Sequence, residues 1–150
     1  MSTPLILPEL VAVDVDAADA NAVIDILAQR LAEAGRVTDA AVFATDVRAR
    51  EAKTSTGMPG GIGLPHAKSE AVLAPSLAVA KVPAGVDFGA PDGPATLVFL
   101  IAAPAAGEGD HLKILAALAR KLVHADFKDS LRAAPDGAAV AAIVNEAVSL

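Results

Sequence analysis

The stretch GGIGLPHAK, residues 60–68, brings one imidazole to the end of a glycine-rich approach. Four glycines (Gly57, Gly60, Gly61 and Gly63) stand ahead of Pro65 and His66. Glycine lets a backbone bend sharply and approach a ligand closely, at an entropic cost. That density in front of a scarce residue makes His66 the first candidate for chemistry. The chain has two other histidines. His124 falls at the end of a helical pattern, where a cation suits the helix dipole, and reads as ordinary surface. His111 falls in the first turn of its helix, the wrong end for a stabilising positive charge, and taken alone it also reads as surface.

Several chemistries lack their other parts. A metal site needs further ligands, yet His66 lies in a loop rather than on a helix that would stack a second ligand one turn along, and there is no cysteine to help. No G-x-S-x-G elbow is present for a serine nucleophile. The glycines are not followed by G-K-[ST], so a nucleotide phosphate loop is disfavoured. Histidine as nucleophile or as general base remains. A neutral imidazole is nucleophilic near neutral pH, and a hydrogen bond to one ring nitrogen can fix which nitrogen attacks.

The elements that must position His66 follow from periodicity. Residues 16–37 predict a helix with Val23, Ile24, Leu27, Ala28 and Leu31 on one stripe, capped by Asp16 or Asp19 and ended by Gly35. Residues 38–53 predict a second, capped by Thr38 or Asp39, with Val42, Phe43 and Val47 facing the core and Arg50 and Glu51 in its last turn. Residues 54–69 read as a loop with a short strand at Ile62 and Leu64. Residues 76–82 alternate as a strand, and 82–94 have the composition of tight turns. The apolar run ATLVFLIAAP, 95–104, reads as a strand buried on both faces. After a polar loop at 105–110, three helices follow. Leu112, Leu115, Leu118, Ala119 and Leu122 face inward from 110–124, with Asp110 as cap. Phe127 and Leu131 do so from 125–134, and Val140, Ile143, Val144, Ala147 and Val148 from 136–150. The order predicts a single α/β domain, a mixed β-sheet flanked by helices on both faces.

Composition narrows the setting. With 150 residues the chain can bury a core without staples, and with 3% aromatics that core must be mostly aliphatic. The first ten residues lack a basic region and make a poor signal peptide. The longest apolar run is broken by Pro104 and is too short to span a bilayer. A soluble cytoplasmic protein is expected. The net charge of −6 comes with no basic stripe, so no nucleic-acid partner is expected.

Four segments then fall into one pattern: RE at 50–51, STGMPGGIGLPHAK, GVDFGAPDGPATLVFLIAAP and HLKILAALARKL. In order and spacing they resemble the fructose/mannitol-type IIA domain of the bacterial phosphoenolpyruvate-dependent sugar phosphotransferase system, over roughly residues 5 to 135. The resemblance implies that His66 accepts a phosphoryl group from the phosphocarrier protein HPr. His66 then passes it to a IIB domain, which serves the sugar-translocating membrane component IIC. It places Arg50 and His111 beside the phosphohistidine, and a phosphoryl group near the helix N-terminus would reverse the dipole argument against His111. Ser55, Thr56 and the backbone N–H groups of residues 57–63 are further candidates for phosphoryl-oxygen contacts. For Ser55 and Thr56 the alternative is turn or cap chemistry; for Arg50 it is a surface charge paired with Asp46. Neither a metal nor a cofactor is implied.

Two positions depart from the family pattern. Pro59 stands where a small residue is usual and removes one N–H donor; Gly63 stands where Ala is usual. Glu108 and Asp110 add negative charge near the expected site. IIB domains of this class carry the group on cysteine, and this chain has none, so IIB and IIC are expected on separate polypeptides. The resemblance also admits the nitrogen-type IIA branch, whose phosphorylation state controls partner proteins. A scaffold without phosphate chemistry would not need His66, Arg50 and His111.

Overall fold

The apolar run forms the strand around which the sheet is arranged. In the computed structural model, which describes residues 5–105 and 110–148 (side chains of 110–112 excepted), it is β5 (Ala95–Pro104), with Leu97 through Ala103 buried. A strand covered on both faces has no polar face to alternate with, hence the unbroken apolar sequence. β4 (Ser76–Val86) pairs antiparallel with β5, Leu77 opposite Ile101 and Val79 opposite Phe99. It runs four residues beyond the predicted end at Val82. Its register shifts between Lys81 and Val86, and Pro83 sits in that irregular stretch, where no ladder donor is required. On the far side of β4 lies β1 (Val11–Ala12), parallel, with Val11 opposite Val79.

The other flank of β5 holds two short parallel strands in succession. β2 (Ile62–Gly63) lies opposite Leu97–Val98 and β3 (His66–Ser69) opposite Ile101–Pro104. They make one interrupted edge strand, broken at Leu64–Pro65. Residues 66–69 were expected in a loop. Their strand comes from the pairing β5 offers, a tertiary effect that local composition does not carry.

The helices follow their caps. α1 (Ala20–Glu33) starts after Asp19, whose side chain accepts from Ala22 N–H. Its stripe of Val23, Ile24, Leu27, Ala28 and Leu31 is buried. α2 (Ala40–Lys53) starts after Asp39, which accepts from Val42 N–H. Phe43, Ala44 and Val47 are buried, whereas Val42, expected in the core, is 48% exposed. One residue is a 100° turn of the helix, so a stripe through 43, 44 and 47 rotates Val42 out to the rim. α3 (Asp110–Leu122) buries Ile114, Ala117, Leu118 and Leu122; the expected Leu115 is only partly covered. α4 (Ala125–Ala133) buries Leu131, and α5 (Gly137–Ala147) buries Val140, Ala141 and Val144. α1 and α2 pack on each other and against β4 and β3, while α3 packs on β5 and joins α4 and α5. The sheet is mixed, with helices on both faces. The core is aliphatic apart from Phe43, Phe88 and Phe99.

Candidate functional site

His66 opens β3 directly after the break in the edge strand. Its Nδ1 lies 2.8 Å from the Leu64 carbonyl oxygen. A carbonyl only accepts, so Nδ1 carries the hydrogen and donates it, which leaves the lone pair on Nε2. The ring is half-buried and forms part of the wall of an open cleft of about 770 Å³. α2 supplies the facing wall with Val42, Asp46, Arg50 and Lys53.

The cleft therefore brings Arg50 and His66 together. Arg50 Nη1 donates one long bond of 3.4 Å to the Thr54 carbonyl, and the guanidinium makes no ion pair among the described residues. Asp46, the alternative partner for Arg50, instead accepts from the buried Ser69 hydroxyl at 2.6 Å. Arg50 thus keeps most of a planar five-donor fork uncommitted.

Ser55 and Thr56 are not on the cleft wall. Ser55 is exposed. Thr56 is held by Glu51: its N–H donates to Oε2 at 2.8 Å and its hydroxyl to Oε1 at 2.7 Å. The same hydroxyl oxygen accepts from Leu64 N–H at 3.2 Å. The Thr56 hydroxyl hydrogen is thus aimed at the Glu51 carboxylate. Both polar groups of Leu64 therefore serve side chains rather than the sheet.

Four N–H groups of the glycine loop have partners within the protein: Gly57 donates to Phe88 O at 2.9 Å, Met58 to Ile62 O at 2.8 Å, and Gly60 to Asp92 Oδ2 at 2.9 Å. Ile62 N–H returns to Met58 O at 3.4 Å. These four donors hold the loop to itself, to Phe88 and to Asp92. Pro59 lies between two of these donors. It precedes Gly60 at φ +95°, the Pro-Gly order of a turn that needs a positive φ at its third residue. Arg132 on α4 closes the loop from outside, donating to the Gly60 carbonyl at 2.7 Å and the Thr96 hydroxyl at 3.1 Å. Gly63 serves by its lack of a side chain: a Cβ there would sit 2.8 Å from Phe88 Cδ2.

His111 lies in the first turn of α3, and its side chain falls outside the described residues, as do Glu108 and the side chain of Asp110. His124 is exposed between α3 and α4, as a surface residue should be. Among the described residues no group of three or more His, Cys, Asp or Glu could hold a metal ion, and no helix is long and apolar enough to cross a membrane. Glu51, Phe88, Asp92 and Arg132 were not singled out from the sequence. Only Glu51 had a signal, its place next to Arg50 in the RE pair.

Comparison with known proteins covers nearly the whole chain. Residues 5–147 match the family described as phosphoenolpyruvate-dependent sugar phosphotransferase system, EIIA 2. The chain is 40% identical over 147 residues to a PTS system fructose-specific EIIA component from Haloferax volcanii, covering 97% of this chain and 94% of that one. Its structure is similar to that of the nitrogen regulatory protein IIA-Ntr from Neisseria meningitidis, with a TM-score of 0.84 at 26% identity over 93% of this chain and 96% of that one. It is also similar to IIA mannitol from Escherichia coli, with a TM-score of 0.76 at 25% identity over 91% and 96% of the two chains. The chain belongs to the EIIA 2 family of the phosphoenolpyruvate-dependent sugar phosphotransferase system.

Proposed function

We propose that the chain is a phosphocarrier that takes a phosphoryl group from phospho-HPr onto Nε2 of His66 and hands it to a IIB domain. The IIB domain serves IIC in sugar uptake. One observation carries this reading: Nδ1 is tied to the Leu64 carbonyl while Nε2 is left with a lone pair, in a cleft shared with an uncommitted guanidinium. Nε2 attacks phosphorus in line as the bond from phosphorus to the donor nitrogen breaks. Phosphoryl transfer asks mainly for positioning and for charge around the three equatorial oxygens. Arg50 can grip two of them at once, which lysine cannot do in the same plane. The ring becomes cationic as Nε2 bonds phosphorus, so the Nδ1–H bond to Leu64 strengthens along the reaction, when it helps most. His111 and Ser55 are proposed as further contacts to the phosphoryl oxygens. Return of the group to a IIB thiolate reverses the same geometry.

Incubation with phosphoenolpyruvate, Enzyme I and HPr should add one acid-labile, base-stable phosphoryl group. His66→Ala should take none; labelling of that variant at the wild-type level would sink the mechanism. A second reading is regulatory, with the phosphorylation state of His66 controlling partner binding. The higher TM-score to a nitrogen regulatory protein, 0.84 against 0.76, favours keeping it. Passage of the label from His66 to a IIB cysteine in a reconstituted mixture separates the two, since the regulatory reading requires no such passage.

A further inference from the structure

We propose that Glu51 and Thr56 are positioning residues that set the tautomer and aim of His66, an inference that rests on the phosphocarrier reading of that residue. The chain of bonds runs without a gap. The Glu51 carboxylate can only accept, so it fixes both donors of Thr56, at 2.8 and 2.7 Å. The hydroxyl hydrogen is thereby directed away from Leu64, and its oxygen lone pair is presented to Leu64 N–H at 3.2 Å. The next polar group along the backbone, the Leu64 carbonyl, receives Nδ1–H of His66 at 2.8 Å.

That carbonyl is held from both sides. Upstream, Leu64 is anchored through its N–H to Thr56. Downstream, Pro65 has a fixed φ, and its own carbonyl accepts Ile101 N–H from β5 at 3.1 Å. A carbonyl pinned in this way presents its lone pair in one direction. The imidazole must then keep its hydrogen on Nδ1 to satisfy it, which leaves the lone pair of the neutral ring on Nε2. The last turn of α2 therefore contributes twice. Arg50 lines the cleft, and its neighbour Glu51 braces the histidine from behind.

The test uses the full chain with imidazole nitrogens labelled for NMR, read before any phosphorylation. Wild type and Thr56→Ser, which keeps the hydroxyl, should show His66 as the Nδ1–H tautomer. Thr56→Val, nearly isosteric, and Glu51→Ala should show a mixture with the Nε2–H form. Their initial rates of phosphoryl acceptance from phospho-HPr should fall about tenfold, the weight of one charge-assisted hydrogen bond. Wild-type tautomer together with rates within twofold of wild type in both variants would overturn the proposal. So would a Thr56→Ser variant as impaired as Thr56→Val. The two proposals fail separately: a tautomer that moves in the variants supports the brace even if wild type takes no label, an outcome that would remove only the phosphocarrier reading.

Discussion

Gly63→Ala places one methyl group where the structure has no room for it. The new Cβ would lie 2.8 Å from Cδ2 and 2.9 Å from Cγ of Phe88, against an ordinary contact of at least 3.4 Å. Phe88 must therefore yield by about 0.6 Å, the difference between 3.4 and 2.8 Å. The obstructing atoms include Cγ, which moves only with χ1 or the backbone, and the ring is buried. Its backbone is also fixed, because the Phe88 carbonyl accepts Gly57 N–H at 2.9 Å. Overpacking of this kind costs about 2 kcal/mol, which in a chain of this length lowers Tm by about 4–8 °C. Phe88→Ala alone should also destabilise, by about 3–5 kcal/mol, through lost packing. The double variant with Phe88→Ala is the decisive measurement, because alanine has no Cγ or Cδ atom to meet the new methyl. Urea unfolding of the four proteins should give a double variant at least about 1 kcal/mol more stable than the sum of the single costs predicts. Additivity within about 0.5 kcal/mol would refute the claim that Gly63 is there to admit Phe88.

Arg50→Ala should slow phosphoryl transfer to His66 about 100-fold and leave unfolding within about 0.5 kcal/mol of wild type. Arg50→Lys should recover only part of that rate, because its ammonium lacks the planar fork; full recovery would mean that charge alone is needed. Asp39→Ala removes the cap bond to Val42 N–H and should cost about 1 kcal/mol in thermal unfolding. Leu100→Ala, at a fully buried position in the central strand, should cost about 2–5 kcal/mol by denaturant titration.

What could be read from the sequence was local or total. Asp19 and Asp39 announce their helices because a cap acts within three residues. The stripe of α1 is legible for the same reason. β5 is legible because burial on both faces makes Leu97 through Ala103 an unbroken apolar run. Four residues of β3, His-Ala-Lys-Ser, carry no such signature, since only Ala67 and Ser69 are buried and the strand exists by pairing with β5. Val42 shows the limit of periodicity, which finds a stripe but not which edge of it meets the neighbour. At the site, glycine density and Pro65 single out His66, while Arg50 required the family resemblance. The hole at Gly63 and the ring that fills it lie 25 residues apart, and nothing local joins them. The same holds for the Asp92 and Arg132 contacts to Gly60.

The broken edge strand has a consequence for how this protein meets others. An open sheet edge invites another chain to add a strand. Here one edge is β1, two residues long, and the other is split into pieces of two and four residues. Neither offers a continuous row of free backbone groups, and the gap between the pieces has its N–H and C=O bound to Thr56 and His66. Among the described residues, capture by strand addition, with its many cooperative backbone bonds, therefore finds no continuous edge on either side. Association is left to side chains around the cleft, which suits a carrier that must let go of each partner in turn. The same interruption keeps copies of the chain from zipping together edge to edge.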